Sequence, residues 1–411
     1  LIFFVLFAVV MGAAHYYIWK RAVRDTTLPG RGRRIGTGVV LLLYVLVMAG
    51  LSVSRLGWAL GDAVAWPGFL WLAGAFYFSL ILGVLEIPRL LVLRSTRRLE
   101  VAVAAGVPNA VVETPEGAAA ETPGKPEQPA DPGRRLFIAR SLAVAGGVAT
   151  AGVVTYGATQ ALGDPVIKRV PVTLGKLDPR LSGYRIAVVS DIHLGPLLGR
   201  SHTERIVRMI NEQQVDLVAI VGDLVDGTVD ELGEAAAPLR DLVSTHGSFF
   251  VTGNHEYYSG AEPWLAELDR LGVSPLRNER LTIERAGAAF DLAGVSDVTG
   301  AAFEDAPDFA RALDGRDKSR PVVLMAHQPV QVREAAKHGV DLQLSGHTHG
   351  GQMFPFHLAV GLQQPMRSGL ETIDGTQVYT TNGVGFWGPP VRVGAPPDIT
   401  VVELRHNFAG R

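Results

Sequence analysis

Cysteine is absent from all 411 residues, which removes disulfides, thiolate metal ligands and a cysteine nucleophile together and leaves the redox compartment unreadable. Net charge is scarce as well: 38 Lys and Arg against 40 Asp and Glu leave −2. No long basic run with interleaved aromatics occurs, so a nucleic-acid partner is not expected. What the chain has in excess is apolar surface. Hydrophobic residues make up 47%, and the excess lies before residue 165. Length alone asks for two or more units, and the uneven hydropathy divides them into a membrane region and a soluble part.

Taken in order, Leu1 to Trp19 is an almost uncharged apolar segment that reads as a membrane helix. The chain opens on Leu1 rather than Met, so a start further upstream is expected. Lys20, Arg21, Arg24, Arg31, Arg33 and Arg34 crowd the next loop, with Asp25 its one acid. Apolar runs at Ile35 to Val53 and Trp66 to Leu85 are each long enough to span a hydrocarbon core of about 30 Å at about 1.5 Å per residue. Residues 1–98 are thus expected to form a region of three spans. Pro, Glu, Ala and Gly dominate from Leu99 to Gly133, a composition that buries too little apolar surface to offset the entropy of ordering, and a disordered linker is expected. With its basic flank the linker runs over 99–140. Arg134 and Arg135 precede an uncharged run from Ser141 to Leu162. This reads either as a fourth span, at 141–162, or as a twin-arginine-like signal inside the chain; no convincing cleavage site follows, so it is expected to stay as an anchor. Basic loops stay cytoplasmic, which puts Lys20 to Arg34, Arg89 to Arg98 and Arg134 to Arg140 on the inner side. A multi-pass protein of the cell membrane results, with everything after Pro165 on the extracytoplasmic face.

Beyond Pro165 the pattern is that of a soluble α/β domain, at 165–411. Strands are expected at Arg185 to Ser190, Asp216 to Val221, Ser248 to Thr252, Ala289 to Val295, Val322 to Ala326, Asp341 to Ser345, Gln377 to Thr381 and Ile399 to Leu404. Five of them end in polar clusters: Asp191-Ile192-His193; Gly222-Asp223; Gly253-Asn254-His255-Glu256; His327; and Gly346-His347-Thr348-His349-Gly350-Gly351-Gln352. In open α/β sheets, ligands gather outside the carboxyl ends of strands, so five clusters at five strand ends predict one site.

Asp, His and Asn offer oxygen and nitrogen donors suited to Mn, Fe or Zn. Asp191, His193, Asp223, Asn254, His327, His347 and His349 are too many for one ion with an open position, and enough for two divalent ions if one carboxylate bridges. Two ions about 3.5–4 Å apart clamp the attacking and leaving oxygens of an in-line displacement at phosphorus and turn a bridging water into a hydroxide nucleophile. The reaction class implied is phosphoester hydrolysis.

Asp191-x-His193, Gly222-Asp223, Gly253-Asn254-His255-Glu256, His327-x-Pro329 and Gly346-His347-x-His349 resemble the five ordered motifs of the calcineurin-like metallophosphoesterases. The resemblance covers residues 166–406, and all five motifs in order make it specific. It implies an α/β fold, a four-layer sandwich of two sheets flanked by helices, following the N-terminal helical membrane region. It also implies roles: Asp191, His193 and His349 on one ion, Asn254, His327 and His347 on the other, Asp223 bridging. His255 would not be a ligand. It would stabilise charge on the phosphoryl group or protonate the leaving oxygen. Asp226 and Glu256 would orient the ligands.

Within the family the chain is similar to membrane-anchored members, through its upstream spans, Gly350-Gly351-Gln352, and Gly385-Phe386-Trp387-Gly388-Pro389-Pro390. Protein Ser/Thr phosphatases carry arginines where this chain has Gly227 and Thr252, so a diester, a pyrophosphate or another phosphoester is the expected substrate. The aromatic stretches around Phe354 and at Phe386-Trp387 are either core or an apolar lip that admits a lipid-linked phosphate. His357 is ambiguous; His15, His202, His246, His338 and His406 are expected bystanders. The rival to an enzyme is a non-catalytic membrane protein whose phosphoesterase-like domain only binds a phosphate ligand or a partner.

Overall fold

The computed structural model describes residues 2–53, 58–105 and 132–407. They fall into two compact units, Leu1–Ser52 with Trp71–Val154, and Val53–Leu70 with Thr155–Arg411.

The four apolar segments are the helices α1 (Ile2–Ile18), α2 (Arg31–Val53), α3 (Trp58–Ala105) and α4 (Pro132–Leu162). Three stretches among the described residues are long and apolar enough to cross a membrane: Arg31–Ser52, Ala63–Leu91 and Gly133–Leu162. The first helix, 17 residues long, continues without a break into a π-helical turn, Trp19–Arg24. Large apolar side chains such as Val39, Leu41, Leu42 and Val45 point outward from α2, as lipid-facing positions would. At one end of the first unit, Arg21 pairs with Glu86 (2.7 Å) and Asp25 (2.9 Å), and Arg89 with Glu86 (2.9 Å). Arg140 Nε donates to Thr26 O at 3.0 Å beside them. Where the linker is expected from Leu99, α3 continues to Ala105; residues 106–131 lie outside the described residues.

In the second unit the chain first lays down β1 (Val166–Leu174), β2 (Tyr184–Val189), β3 (Leu217–Val221), β4 (Ser248–Val251) and β5 (Val273–Pro275). It then builds a second sheet from β6 (Glu279–Arg285), β7 (Ala288–Gly294), β8 (Val322–Met325), β9 (Leu342–Ser345), β10 (Gly369–Ile373) and β11 (Thr376–Thr380), and returns as β12 (Asp398–His406) to the first. The orders are β1-β12-β2-β3-β4-β5 and β10-β11-β9-β8-β7-β6. The central strands β2 to β5 run parallel, as do β7, β8, β9 and β11. All eight expected strands are present. The four unexpected ones have faces that break the apolar pattern: β10, for instance, is exposed along its middle, and β1 carries Lys168, Arg169 and Pro171.

Strand alternation explains the layering. Side chains two apart share a face, so Ile186, Val188, Leu217 and Ala219 of the first sheet meet Phe290, Leu292, Val323, Met325 and Leu344 of the second in one core. Their neighbours Ala187, Val189, Val218 and Ile220 face the other way, onto Ile206 and Ile210 of α5 (Arg200–Asn211) and onto Trp264 and Leu268. The second sheet packs its outer face on Phe309 and Leu313. The result is helix, sheet, sheet, helix, with strands apolar on both faces as buried parallel sheets are.

Candidate metal centre

The carboxyl ends of β2, β3 and β4 open onto the same place as those of β8 and β9. From the first sheet come Asp191, His193, Asp223 and Asp226; from the second, His327, His347 and His349. Three groups have ligand atoms within 4.8 Å of one another: Asp191, His193 and His349; Asp223, His327 and His347; and His193, Asp226 and His255. The first two draw on both sheets, and the third on the first sheet alone.

The hydrogen bonds decide which atoms face inward. His193 Nδ1 lies 3.2 Å from Asp226 Oδ1, so this nitrogen donates to the carboxylate and Nε2 is left for the site. Nε2 is 3.1 Å from His349 Nε2 and 3.8 Å from Asp223 Oδ2. His349 Nε2 is 3.3 Å from Asp191 Oδ1. His327 donates through Nδ1 to Val221 O at 2.7 Å, which turns its Nε2 to within 3.1 Å of Asp223 Oδ2. Asp223 Oδ2 thus looks toward an imidazole of each of the first two groups, while Oδ1 accepts from His255 N at 2.9 Å.

These donors fit a pair of divalent ions. Two imidazole nitrogens about 3 Å apart are what two ligands at about 2.1 Å on one ion would show. Asn254 Oδ1 is buried without a hydrogen-bond partner, an arrangement expected of a ligand atom and costly otherwise, and His327 Nε2 faces Asp223 Oδ2.

Charge distribution agrees. Burial raises the pKa of Asp191, while burial of Asp223 is outweighed by His327, which holds it well below the ordinary carboxylate range. Burial pulls His347 down to about 3, and burial with the His193 and Arg392 charges holds His349 well below its ordinary value. Both are therefore neutral imidazoles with lone pairs. His255 differs: burial opposes its charge, but the Asp226 hydrogen bond and the Asp223 charge push it up to about 9. Its Nδ1 is 2.5 Å from Asp226 Oδ1, the oxygen that also holds His193.

Supporting residues hold the loops. Glu256 accepts from the backbone N–H groups of Asp223 (3.0 Å), Leu224 (2.7 Å) and Gly253 (2.6 Å). A Cβ on Gly253 would run into Asp223, so only glycine lets the third loop approach this closely. His357 lies outside the groups, stacked on Phe354 at 4.9 Å. His202, His246, His338 and His406 are also outside them, bonded to Arg205, Tyr184, Glu334 and Leu177 O. In the other unit, His15 donates from Nδ1 to Met11 O and accepts at Nε2 from Trp71 Nε1.

One residue escapes sequence reasoning. Arg392 is fully buried and its guanidinium donates to the carbonyls of Gly385 (2.6 Å), Asn382 (2.8 Å), Ala395 (3.0 Å) and His349 (3.3 Å), with Nη2 3.2 Å from His349 Nδ1. Among the described residues no carboxylate forms an ion pair with it, although Asp191 and Asp398 favour its charge from further away. The available signal is that Arg392 is the one charged residue between Phe386 and Pro397.

A family model for calcineurin-like phosphoesterases matches residues 184–351. A metallophosphoesterase of Helicobacter pylori, itself uncharacterized, is 41% identical over 276 residues, covering 66% of this chain and 73% of its own. A bovine transmembrane protein with metallophosphoesterase domain is 38% identical over 288 residues, covering 67% of this chain and 64% of its own. With the relative from Helicobacter matched over most of its length and the model spanning the strand ends that carry the donors, the chain belongs to the calcineurin-like phosphoesterases and is a metal-dependent enzyme of phosphoester bonds.

Proposed function

We propose that the chain is a membrane-anchored binuclear phosphoesterase whose first ion is held by Asp191, His193 and His349, and whose second is held by Asn254, His327 and His347. Asp223 would be the carboxylate shared between them. The observation that carries this reading is the placement of one oxygen, Asp223 Oδ2, 3.1 Å from His327 Nε2 and 3.8 Å from His193 Nε2. Two such ions, Mn, Fe or Zn, would supply Lewis-acid polarisation of the phosphoryl oxygens and would make a water more acidic. The protein's part is positional and protic. His255, kept protonated by Asp226, faces the developing charge, either stabilising it or delivering a proton to the leaving oxygen. Asp226 orients His193 and His255 together, and Glu256 fixes the backbone that carries Asp223.

The chain is read as multi-pass, with residues 1–98 and 141–162 in the membrane and 165–411 catalytic. Arg21, Arg89 and Arg140 share one end of the first unit, which supports a common cytoplasmic side for the three basic flanks and an external site. Trp387 lies beside His255, ring centroids 5.9 Å apart, and half of its surface is exposed. An apolar wall next to the proton donor suits a lipid-linked or cell-envelope phosphoester. The test is metal analysis of the purified protein with a panel of phosphomonoesters, diesters and lipid pyrophosphates: two ions per chain and hydrolysis of at least one class are expected. A chain that binds phosphate compounds and hydrolyses none would overturn the reading.

A further inference from the structure

Gly350 to Pro365 contains no Asp, Glu, Lys or Arg, yet the segment lies on the surface. Phe354 and Phe356 are half exposed, Leu358 is 71% and Leu362 84% exposed. A soluble domain rarely leaves such a contiguous apolar stretch uncovered without a use for it. The stretch is also held firmly. Gln352 bonds Trp387 N and O and Pro389 O, each at 3.1 Å, and Phe354 N donates to Val393 O at 3.0 Å. These bonds join the segment to the loop of Trp387, which reaches His255.

The same loop receives the end of α4. The last two turns of that helix, from Thr155, belong to the second unit. Gly157 O accepts from Arg392 N at 2.9 Å, and Ala161 packs on Leu198 and Phe386. A Cβ at Gly157 would strike Val391 and Val393, so the contact needs glycine. Gly133–Leu162 is long and apolar enough to cross a membrane, and only Gly163, Asp164 and Pro165 separate it from β1. Within the second unit, the Trp387 loop therefore packs against the last turns of that helix.

We propose that Phe354, Phe356, Leu358, Leu362 and Trp387 form a lip seated in the lipid headgroup and upper acyl region of the bilayer that α4 crosses, so that a lipid phosphoester reaches His255 without leaving the membrane. This rests on the membrane-anchored phosphoesterase reading above and adds the bilayer itself as the lip's partner. Trp, Phe and Leu presented together on one face are the residues that interfacial insertion buries.

The absence of native cysteine makes the test direct. Leu358→Cys and Leu362→Cys variants of the full chain, spin-labelled and reconstituted in phosphatidylcholine/phosphatidylglycerol nanodiscs, report collision with oxygen and with a water-soluble nickel chelate. Val243→Cys is the reference, 67% exposed and placed before the amino end of β4, opposite the site. The oxygen-to-nickel ratio at 358 and 362 is expected to exceed the reference by about fivefold or more, as insertion below the headgroups requires. A ratio equal to the reference overturns the lip, and so does exclusion of both reagents, which would mean cover by protein such as a second copy. Hydrolysis of a water-soluble diester by the unmodified chain is measured in parallel. Hydrolysis with water-exposed labels strikes the lip alone; lipid-exposed labels without hydrolysis strike the functional reading and leave the lip.

Discussion

The interior between the two sheets and the edge where their strands end are made from opposite materials. Inside, Ile186, Val188, Leu217, Phe290 and Leu344 lie in regular strands, none of them at positive φ, in a core without carboxylates or imidazoles. At the edge, three to six residues further along the same strands, buried carboxylates and imidazoles crowd together. Eleven non-glycine residues among those described have positive φ, and five of them are Asp191, His193, Asp223, His347 and His349. Backbone of that kind costs about 1–3 kcal/mol per residue and persists only where the surroundings over-determine it. The comparison teaches that the sheets act as a rigid frame whose stability is drawn on at one edge, where strain aims side chains at a common centre.

Substitutions at the edge should therefore change chemistry more than folding. The largest effect is expected at Asp223→Asn, which removes the charge shared by both groups: bound metal falls and turnover drops by about 10³-fold or more. Metal analysis with kinetics checks this, and two ions per chain with full turnover would break the assignment. Arg392 joins the two regions, since it is buried like core yet bonded to edge carbonyls. Arg392→Met leaves several buried acceptors bare, and a loss of about 3 kcal/mol or more in denaturant unfolding is expected. Weaker metal binding by about 10–100-fold should accompany it through His349. Arg392→Lys should recover part of the stability.

His255→Gln separates proton chemistry from ligation. Metal content should stay intact while kcat falls on the order of 10²-fold; loss of metal instead would make His255 a ligand. The smallest effect belongs to the frame. His202 is buried beside α5's Arg205, and burial with the Arg205 and Arg392 charges depresses it to about 3. Unfolded, it titrates near 6.5. Between these values the unfolded chain binds the extra proton, so this contribution is complete above pH 6.5 and is lost as pH falls toward 3. In His202→Asn the acid limb of unfolding free energy should flatten by about 1.4 kcal/mol per pH unit in that window; an unchanged limb would mean that His202 is already protonated in the folded chain.

The edge was more legible than the frame. Asp191, Asp223, Asn254, His327 and His347 each follow closely on an apolar run, so strand ends and polar clusters could be read together, and the structure brings six of the seven candidate donors together with His255, with Asn254 beside it in sequence. Strands β1, β6 and β10 escaped because solvent on one face replaces apolar residues with Lys, Arg, Glu and Thr. Arg392 escaped for another reason. Its partners are backbone carbonyls, which leave no trace in side-chain identity, and its position between Val391 and Val393 reads as strand. The continuation of α3 to Ala105 is likewise invisible where composition turns toward Pro and Glu only later.

The central claim is that two ions share one carboxylate at this edge. Titration of the metal-stripped full chain with Mn or Zn, followed by calorimetry and by hydrolysis of a diester, tests it most directly. The account predicts saturation at two equivalents, with activity rising as the second is bound, and loss of the two-equivalent endpoint in Asp223→Asn. Saturation at one equivalent with full activity, or an Asp223→Asn variant that still takes up two ions, would contradict it.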